Sequence, residues 1–174
     1  MTRPSAKRDK ALILTLLDTG VRASELCRLK INDINLETGT VRIMPFLSGR
    51  KSRSRVVFIG KVTRSALWHY LVERKDAQPE NYPFISRNNR PLDRFILRDL
   101  LQRIGERICI DNVHPHRFRH TFAIQYLRNG GDIFTLQRLL GHSDISMVRR
   151  YLNIADTDTK TAHQQASPVD RWGL

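Results

Sequence analysis

Cysteine is scarce in this chain: 174 residues contain two, Cys27 and Cys109, with no CxxC spacing. Two isolated thiols exclude a disulfide framework and a cysteine-built zinc site, and they fit a reducing compartment. Long apolar runs are missing as well, since nothing approaches the ~20 consecutive residues that span a bilayer. The basic N-terminus followed by Ala11-Leu12-Ile13-Leu14-Thr15-Leu16-Leu17 imitates a secretory leader. That run is short, lacks a small-residue cleavage site and meets Asp18 and then Arg22. It reads as a buried helix, so no membrane partner is expected and the chain is assigned to the cytoplasm. Repeats, low-complexity tracts and an obvious linker are also absent, which leaves one domain over residues 1–174 with room for a sizeable core. Acidic residues are the last shortage. Asp and Glu number 17 against 30 Lys and Arg, for a formal charge of +13 and a pI near 10.7. A field this positive implies a polyanionic partner, with nucleic acid the natural one.

Periodicity supplies the elements. Helical spacing runs from Ser5 to Thr19, with Gly20 as a stop, and a second helix is expected from Ala23 to Leu29. The period then changes. Thr40–Met44 and Arg55–Ile59 read as strands, Glu37-Thr38-Gly39 as a turn before the first, and residues 48–54 as a very basic hairpin tip. Helices return over Val62–Arg74, Leu92–Arg107, Pro115–Asn129, Ile133–Leu140, Ile145–Asn153 and near Asp158–Gln165, with Phe84-Ile85-Ser86 as a short strand. Pro115 suits a first helical turn, and Gly130-Gly131 closes that helix. The expected class is α+β, mostly helical, with a small antiparallel sheet.

The chemistry-bearing residues concentrate in three stretches: Thr19-Gly20-Val21-Arg22-Ala23-Ser24-Glu25-Leu26, His116-Arg117-Phe118-Arg119, and Leu140-Gly141-His142 with Tyr151 nine residues beyond. Among them are two candidate arginines, Arg22 and Arg119, two histidines and a phenol, the parts needed to attack a phosphodiester. An unperturbed tyrosine has a pKa of ~10 and is a poor nucleophile at neutral pH. The attacked phosphate collects negative charge on its non-bridging oxygens, and Arg22 and Arg119 are permanently charged forks that grip such oxygens. His116 and Arg119, three residues apart, share a helical face. His114, His116 and His120 also invite a metal reading, but no carboxylate ligand lies nearby and Arg117 and Arg119 repel a cation. No metal and no cofactor are expected. Tyr70, Tyr82 and Tyr126 fit a core role, and so does His120, which precedes the apolar Phe122 and Ala123.

In their joint order these motifs resemble the tyrosine recombinase (phage integrase) family, from about Lys7 to Leu174. The resemblance implies a catalytic domain that breaks and rejoins double-stranded DNA through a 3′-phosphotyrosyl bond with a free 5′ hydroxyl, without ATP or metal. By resemblance Arg22 and Arg119 are the active-site arginines, and Glu25 is the acidic residue that braces the first. His116 positions the phosphate and accepts the tyrosine proton, His142 donates to a non-bridging oxygen, and Tyr151 is the nucleophile. A lysine at the hairpin tip protonates the departing 5′ oxygen. Lys51 is the only lysine there, although alignment on Arg55-Val56-Val57 puts Arg50 in its place. Arginine is a poor general acid, so the chemistry favours Lys51. Arg50, Arg53, Arg55 and Arg117 are expected to contact DNA phosphates.

The family places a helical core-binding domain ahead of this region, whereas here the motifs begin almost at the N-terminus. The expectation is therefore a catalytic domain lacking that partner domain, monomeric alone and tetrameric on DNA. Two rivals keep parts of this reading: a catalytically idle DNA-binding relative, and a type IB topoisomerase-like enzyme that relaxes supercoils.

Overall fold

The first helix, α1 (Pro4–Thr19), runs through the middle of the molecule. Its Ala11, Leu12 and Leu16 are fully buried. Two threonines share that inward side, and each hydroxyl donates to the carbonyl four residues earlier, Thr15 to Ala11 at 2.8 Å and Thr19 to Thr15 at 2.6 Å. Buried hydroxyls are thereby satisfied inside the helix itself. The structure, a computed structural model, describes residues 4–45, 54–74, 76–141, 151 and 167.

Five further helices follow among the described residues: α2 (Ala23–Leu26), α3 (Lys61–Val72), α4 (Arg94–Arg107), α5 (Pro115–Arg128) and α6 (Ile133–Leu140). Helix α1 packs against α3 and α5 and touches the sheet. Asp93 caps α4 by accepting from the amides of Phe95 and Ile96, which starts that helix at Arg94 rather than at Leu92. Asp132 accepts from Thr135 N at the start of α6. Helix α2 ends three residues earlier than its spacing predicts. The amides of Ile31 and Asn32 donate to the carbonyls of Asn81 and Pro79, drawing the backbone into a 3₁₀ turn over Ile31–Asp33.

The sheet has three antiparallel strands rather than two, β1 (Ile34–Asn35), β2 (Thr40–Ile43) and β3 (Arg55–Phe58), in the order β1-β2-β3. Val41 pairs with Val57 and Ile43 with Arg55. Val41, Ile43 and Val57 face the core, while Arg42, Val56 and Phe58 alternate outward. A two-residue strand carries too little alternation to be read from sequence. Asn35 makes the turn after it, its side-chain oxygen accepting from the amides of Glu37 and Thr38. The expected strand at Phe84–Ser86 is a single bridge, Ile85 to Pro91, since proline has no N–H with which to extend a ladder.

Two apolar clusters result. One joins α1, the sheet, α3 and α4, and the other gathers Phe122, Ala123, Leu127, Leu136, Leu140 and Tyr151, with Leu139 packed against both. Gly20 lies at their junction. Its φ of +59° ends α1, and a Cβ there would stand 2.3 Å from a Phe122 ring carbon. Only glycine combines that left-handed backbone with so close an approach. Tyr151 is helical, and the rest of the helix expected over Ile145–Asn153 lies outside the described residues, as does the one near Asp158–Gln165.

Candidate active site

The site begins with a buried carboxylate. Glu25, 3% exposed, sits in the short helix α2 directly after the Gly20 turn. It accepts from Arg22 twice, through the backbone amide at 2.8 Å and the guanidinium at 3.1 Å. Arg55 of β3 closes on it in a two-pronged pair, 2.9 Å to Oε1 and 2.8 Å to Oε2, and sends its remaining Nε–H to the Leu139 carbonyl at 2.7 Å. Burial, the largest single influence, pushes the Glu25 carboxyl upward, but the hydrogen bonds and charges of Arg55 and Arg22 outweigh it and bring the pKa to about 2. Glu25 is therefore ionised throughout the neutral range, and it ties the sheet, α2 and the end of α6 together. Arg22 keeps about a third of its side chain exposed and is the member of this trio that still reaches the surface.

Arg119 is the second anchor. It is 4% exposed and donates to the carbonyls of Gly20 and Leu140, both at 2.6 Å. These carbonyls are the orphan acceptors at the ends of α1 and α6, so Arg119 serves as a cap for two helices at once. Burial first, then Arg22, lowers its pKa; Glu25 opposes and Arg55 adds to the fall, leaving about 10. At neutral pH it remains a cation. Tyr151 also bears on this titration, which places the phenol within electrostatic reach of the guanidinium.

One turn before Arg119 on α5 is His116, exposed at the surface. Its pKa is lowered, by burial first and then by the charges of His120, Arg119 and His114. Its Nε2 lies 2.8 Å from Nε2 of His120. The His120 ring in turn meets Tyr151 edge-on, centroids 5.2 Å apart. Tyr151 is 4% exposed and packs within the second apolar cluster. Arg22, His116, Arg119 and Tyr151 thus converge although they come from α2, α5 and the C-terminal part of the chain.

An open groove of about 580 Å³ runs past them, lined by Arg22, Arg119, His114 and His116 and, from the far side, by Arg94, Phe95 and Arg98 of α4. Arg94 and Arg98 were not singled out from sequence. Their signal was i, i+4 spacing of two arginines on one helix face, which reads equally as an ordinary solvated face. Phe95 is 65% exposed beneath the Arg94 guanidinium.

Arg117 is exposed and its guanidinium donates to the Asp111 carbonyl. Arg55, expected on the outer face of the hairpin, is instead turned inward onto Glu25 and Leu139, because a buried carboxylate must be paired. Arg50, Lys51, Arg53 and His142 lie outside the described residues. Gly141, just before His142, ends α6 at φ +64°, with the Arg55 guanidinium 3.0 Å from where a Cβ would sit. Among the described residues, no three His, Cys, Asp or Glu side chains cluster as metal ligands would, and no helix is long and apolar enough to cross a membrane.

Comparison with known proteins agrees with this geometry. The chain is 31% identical over 172 residues to tyrosine recombinase XerC of Staphylococcus epidermidis, covering 95% of this chain and 56% of that protein. It therefore spans little more than half the length of such relatives. The crystal structure of XerA recombinase superposes with a TM-score of 0.76 at 32% identity, over 94% of this chain and 58% of that one. XerH site-specific recombinase, solved with palindromic difH substrate in a post-cleavage complex, gives 0.72 at 25% identity, over 98% of this chain and 48% of the other. The phage integrase family model matches residues 1–158, which include every residue brought together above, from Arg22 to Tyr151. With that match these residues have a family: the chain belongs to the phage integrase family.

Proposed function

We propose that this chain is the catalytic domain of a site-specific DNA recombinase, with Tyr151 as the nucleophile. The observation that carries the reading is Arg119 fixed between two helix ends beside Arg22, with His116 one turn away and Tyr151 within electrostatic reach. In this mechanism the scissile phosphate rests on Arg22 and Arg119, whose fixed positive charge meets the negative charge that develops on its oxygens. Tyr151 Oη bonds to phosphorus and its proton passes to His116. The bond from phosphorus to the 5′ oxygen breaks, and Lys51 protonates that oxygen. His142 donates to a non-bridging oxygen. A 5′ hydroxyl from another strand then reverses the steps, rejoining the DNA in a new connection. The phosphotyrosyl bond conserves the energy of the diester, so ATP has no place in the cycle, and the arginines supply the charge a metal ion would.

Arg94, Arg98 and Arg117 extend the basic surface along the DNA, together with Arg50 and Arg53 of the hairpin tip. Arg55 acts by bracing Glu25. Double-stranded DNA is the partner, a reading supported by the palindromic difH substrate bound in the XerH complex. On this reading the domain acts together with a core-binding domain that closes around DNA, and the recombinase assembles there as a tetramer. The cytoplasm is its compartment, consistent with the free thiols Cys27 and Cys109.

The test is a nicked suicide duplex and a search for a covalent protein–DNA adduct on a denaturing gel, with and without EDTA. The native chain should form the adduct in both, and Tyr151→Phe, with its fold and DNA binding intact, should form none. An adduct with the Phe variant assigns the nucleophile elsewhere. Strand exchange between two duplexes then separates recombination from simple relaxation.

A further inference from the structure

His120 has no part in the mechanism above, yet it touches two of the groups that do. Its Nε2 meets His116 Nε2 at 2.8 Å, the two rings lying edge to face with centroids 4.3 Å apart. Its ring also meets Tyr151 at 5.2 Å and 68°. We infer that His120 is a positioning residue for DNA cleavage: it fixes the tautomer of His116 and shares one proton with it, so that His116 presents a bare Nδ1 to the Tyr151 proton. This inference rests on the recombinase reading of the site.

The reason is stoichiometric. Two imidazole nitrogens at hydrogen-bond distance hold one proton between them, because one must donate and the other accept. When His116 donates its Nε2–H to His120, its Nδ1 carries no proton and is free to take one. His120 then accepts at Nε2 and carries its own proton on Nδ1. After the phenol proton has moved to His116 Nδ1, the new imidazolium still donates to a neutral acceptor, which stabilises it as cleavage proceeds. In the opposite tautomer His116 has its proton on Nδ1 and is useless as a base. Protonating both rings breaks the contact altogether and sets two cations side by side.

The surroundings favour keeping both rings neutral before the phenol proton arrives. His114, at the start of α5, and Arg119 stand beside the pair, and Arg22, just before α2, and Arg94 and Arg98 of α4 face the same groove. Glu25 is held by Arg22 and Arg55. From α1 and α6 the nearest site groups are the carbonyls of Gly20 and Leu140, both accepting from Arg119. Burial and the charges of His120, Arg119 and His114 work against protonation of His116 in the resting site.

Two measurements on the intact chain test this. Imidazole nitrogen NMR across pH 5–9 should show His116 as its Nε2–H tautomer, with His116 and His120 each sensing both steps of a coupled titration. His120→Gln, whose side-chain carbonyl accepts the same hydrogen bond, should leave His116 titrating as a single site in the same tautomer. Independent one-step curves in the native chain would overturn the pairing. Single-turnover adduct formation at pH 7 is the second readout. His120→Ala should slow it by ~10-fold or more, as expected when a general base is disordered, and His120→Gln should restore most of the rate. If the native chain forms adduct and His120→Ala is equally fast, or if Ala and Gln are equally slow, His120 has no such role. A native chain that forms no adduct overturns the recombinase reading beneath it.

Discussion

Glu25 keeps a carboxylate ionised in a place where burial alone would neutralise it, and its partners are themselves site residues. Its folded pKa of about 2 lies below the ordinary 4.5. The resulting stability is fully present above pH 4.5 and is lost as pH falls through about 2. A shift of this size corresponds to about 3 kcal/mol. Urea denaturation should therefore show the native chain weakening between pH 4.5 and about 2, and Glu25→Gln should lack that component. At pH 7 the Gln variant should be less stable by about 3 kcal/mol, because it leaves the Arg55 charge buried without its counter-ion. Equal acid profiles for the two proteins would show that the carboxylate is not held as described. The choice between Lys51 and Arg50 is also tested at this scale. Lys51→Ala should slow cleavage of an ordinary diester but much less that of a 5′-bridging phosphorothiolate, whose thiolate leaves without a proton. Equal defects on both substrates remove Lys51 from the role, and rescue of Arg50→Ala alone transfers it.

At the scale of elements, the site depends on how α1 and α6 end. Each final turn exposes carbonyls with no partner in its own helix, and Arg119 and Arg55 take them at Gly20, Leu140 and Leu139. The helix ends thereby hold the arginines, and the arginines hold the ends. Gly20 permits this through its positive φ and its contact with Phe122. Gly20→Ala adds backbone strain and an overpacked methyl in one step, so it should destabilise the protein by about 3 kcal/mol. For a domain of this size that is a fall in Tm of roughly 10 °C, readable by circular dichroism. Cleavage should fall further than the loss of folded protein accounts for, since the Arg119 guanidinium hangs from the same carbonyl. A variant as stable and active as the native chain would mean that the turn adapts without moving Arg119.

For the whole molecule the governing fact is a formal charge of +13, part of it gathered along one groove. Arg22, Arg94, Arg98 and Arg119 line that groove. Contacts of this type bind phosphates without reading bases, so residues 1–174 alone should bind duplex DNA weakly, at ~1–100 μM, with little sequence preference. The plot of log affinity against log salt should be steep, and Arg94→Ala or Arg98→Ala should each flatten it by roughly one unit. Fluorescence anisotropy on random and candidate-site duplexes across a salt series measures both. Tight, salt-insensitive binding to a single sequence would contradict this account of the surface.

What sequence alone determined here is local in origin. Apolar spacing and terminal signals located α1, α5 and α6 almost to the residue, because helical periodicity and capping act within four residues of one another. The motifs holding Arg22, His116–Arg119 and Tyr151 likewise marked residues that the fold brings near one another. Tertiary structure decided where those parts point. Arg55 reads as an outward basic residue of a hairpin, yet it lies across 84 residues of chain from the Leu139 carbonyl it binds. Arg119 lies 99 residues from Gly20. Such partners are chosen by which helix ends and buried charges meet when the two apolar clusters close, and no spacing rule records that. The same closure brought Arg94 and Arg98 into the groove, set His120 against Tyr151, and ended α2 early through the amides of Ile31 and Asn32. A backbone polar group or a charge that loses water must find its partner wherever packing has left one, and that place exists only in the folded chain.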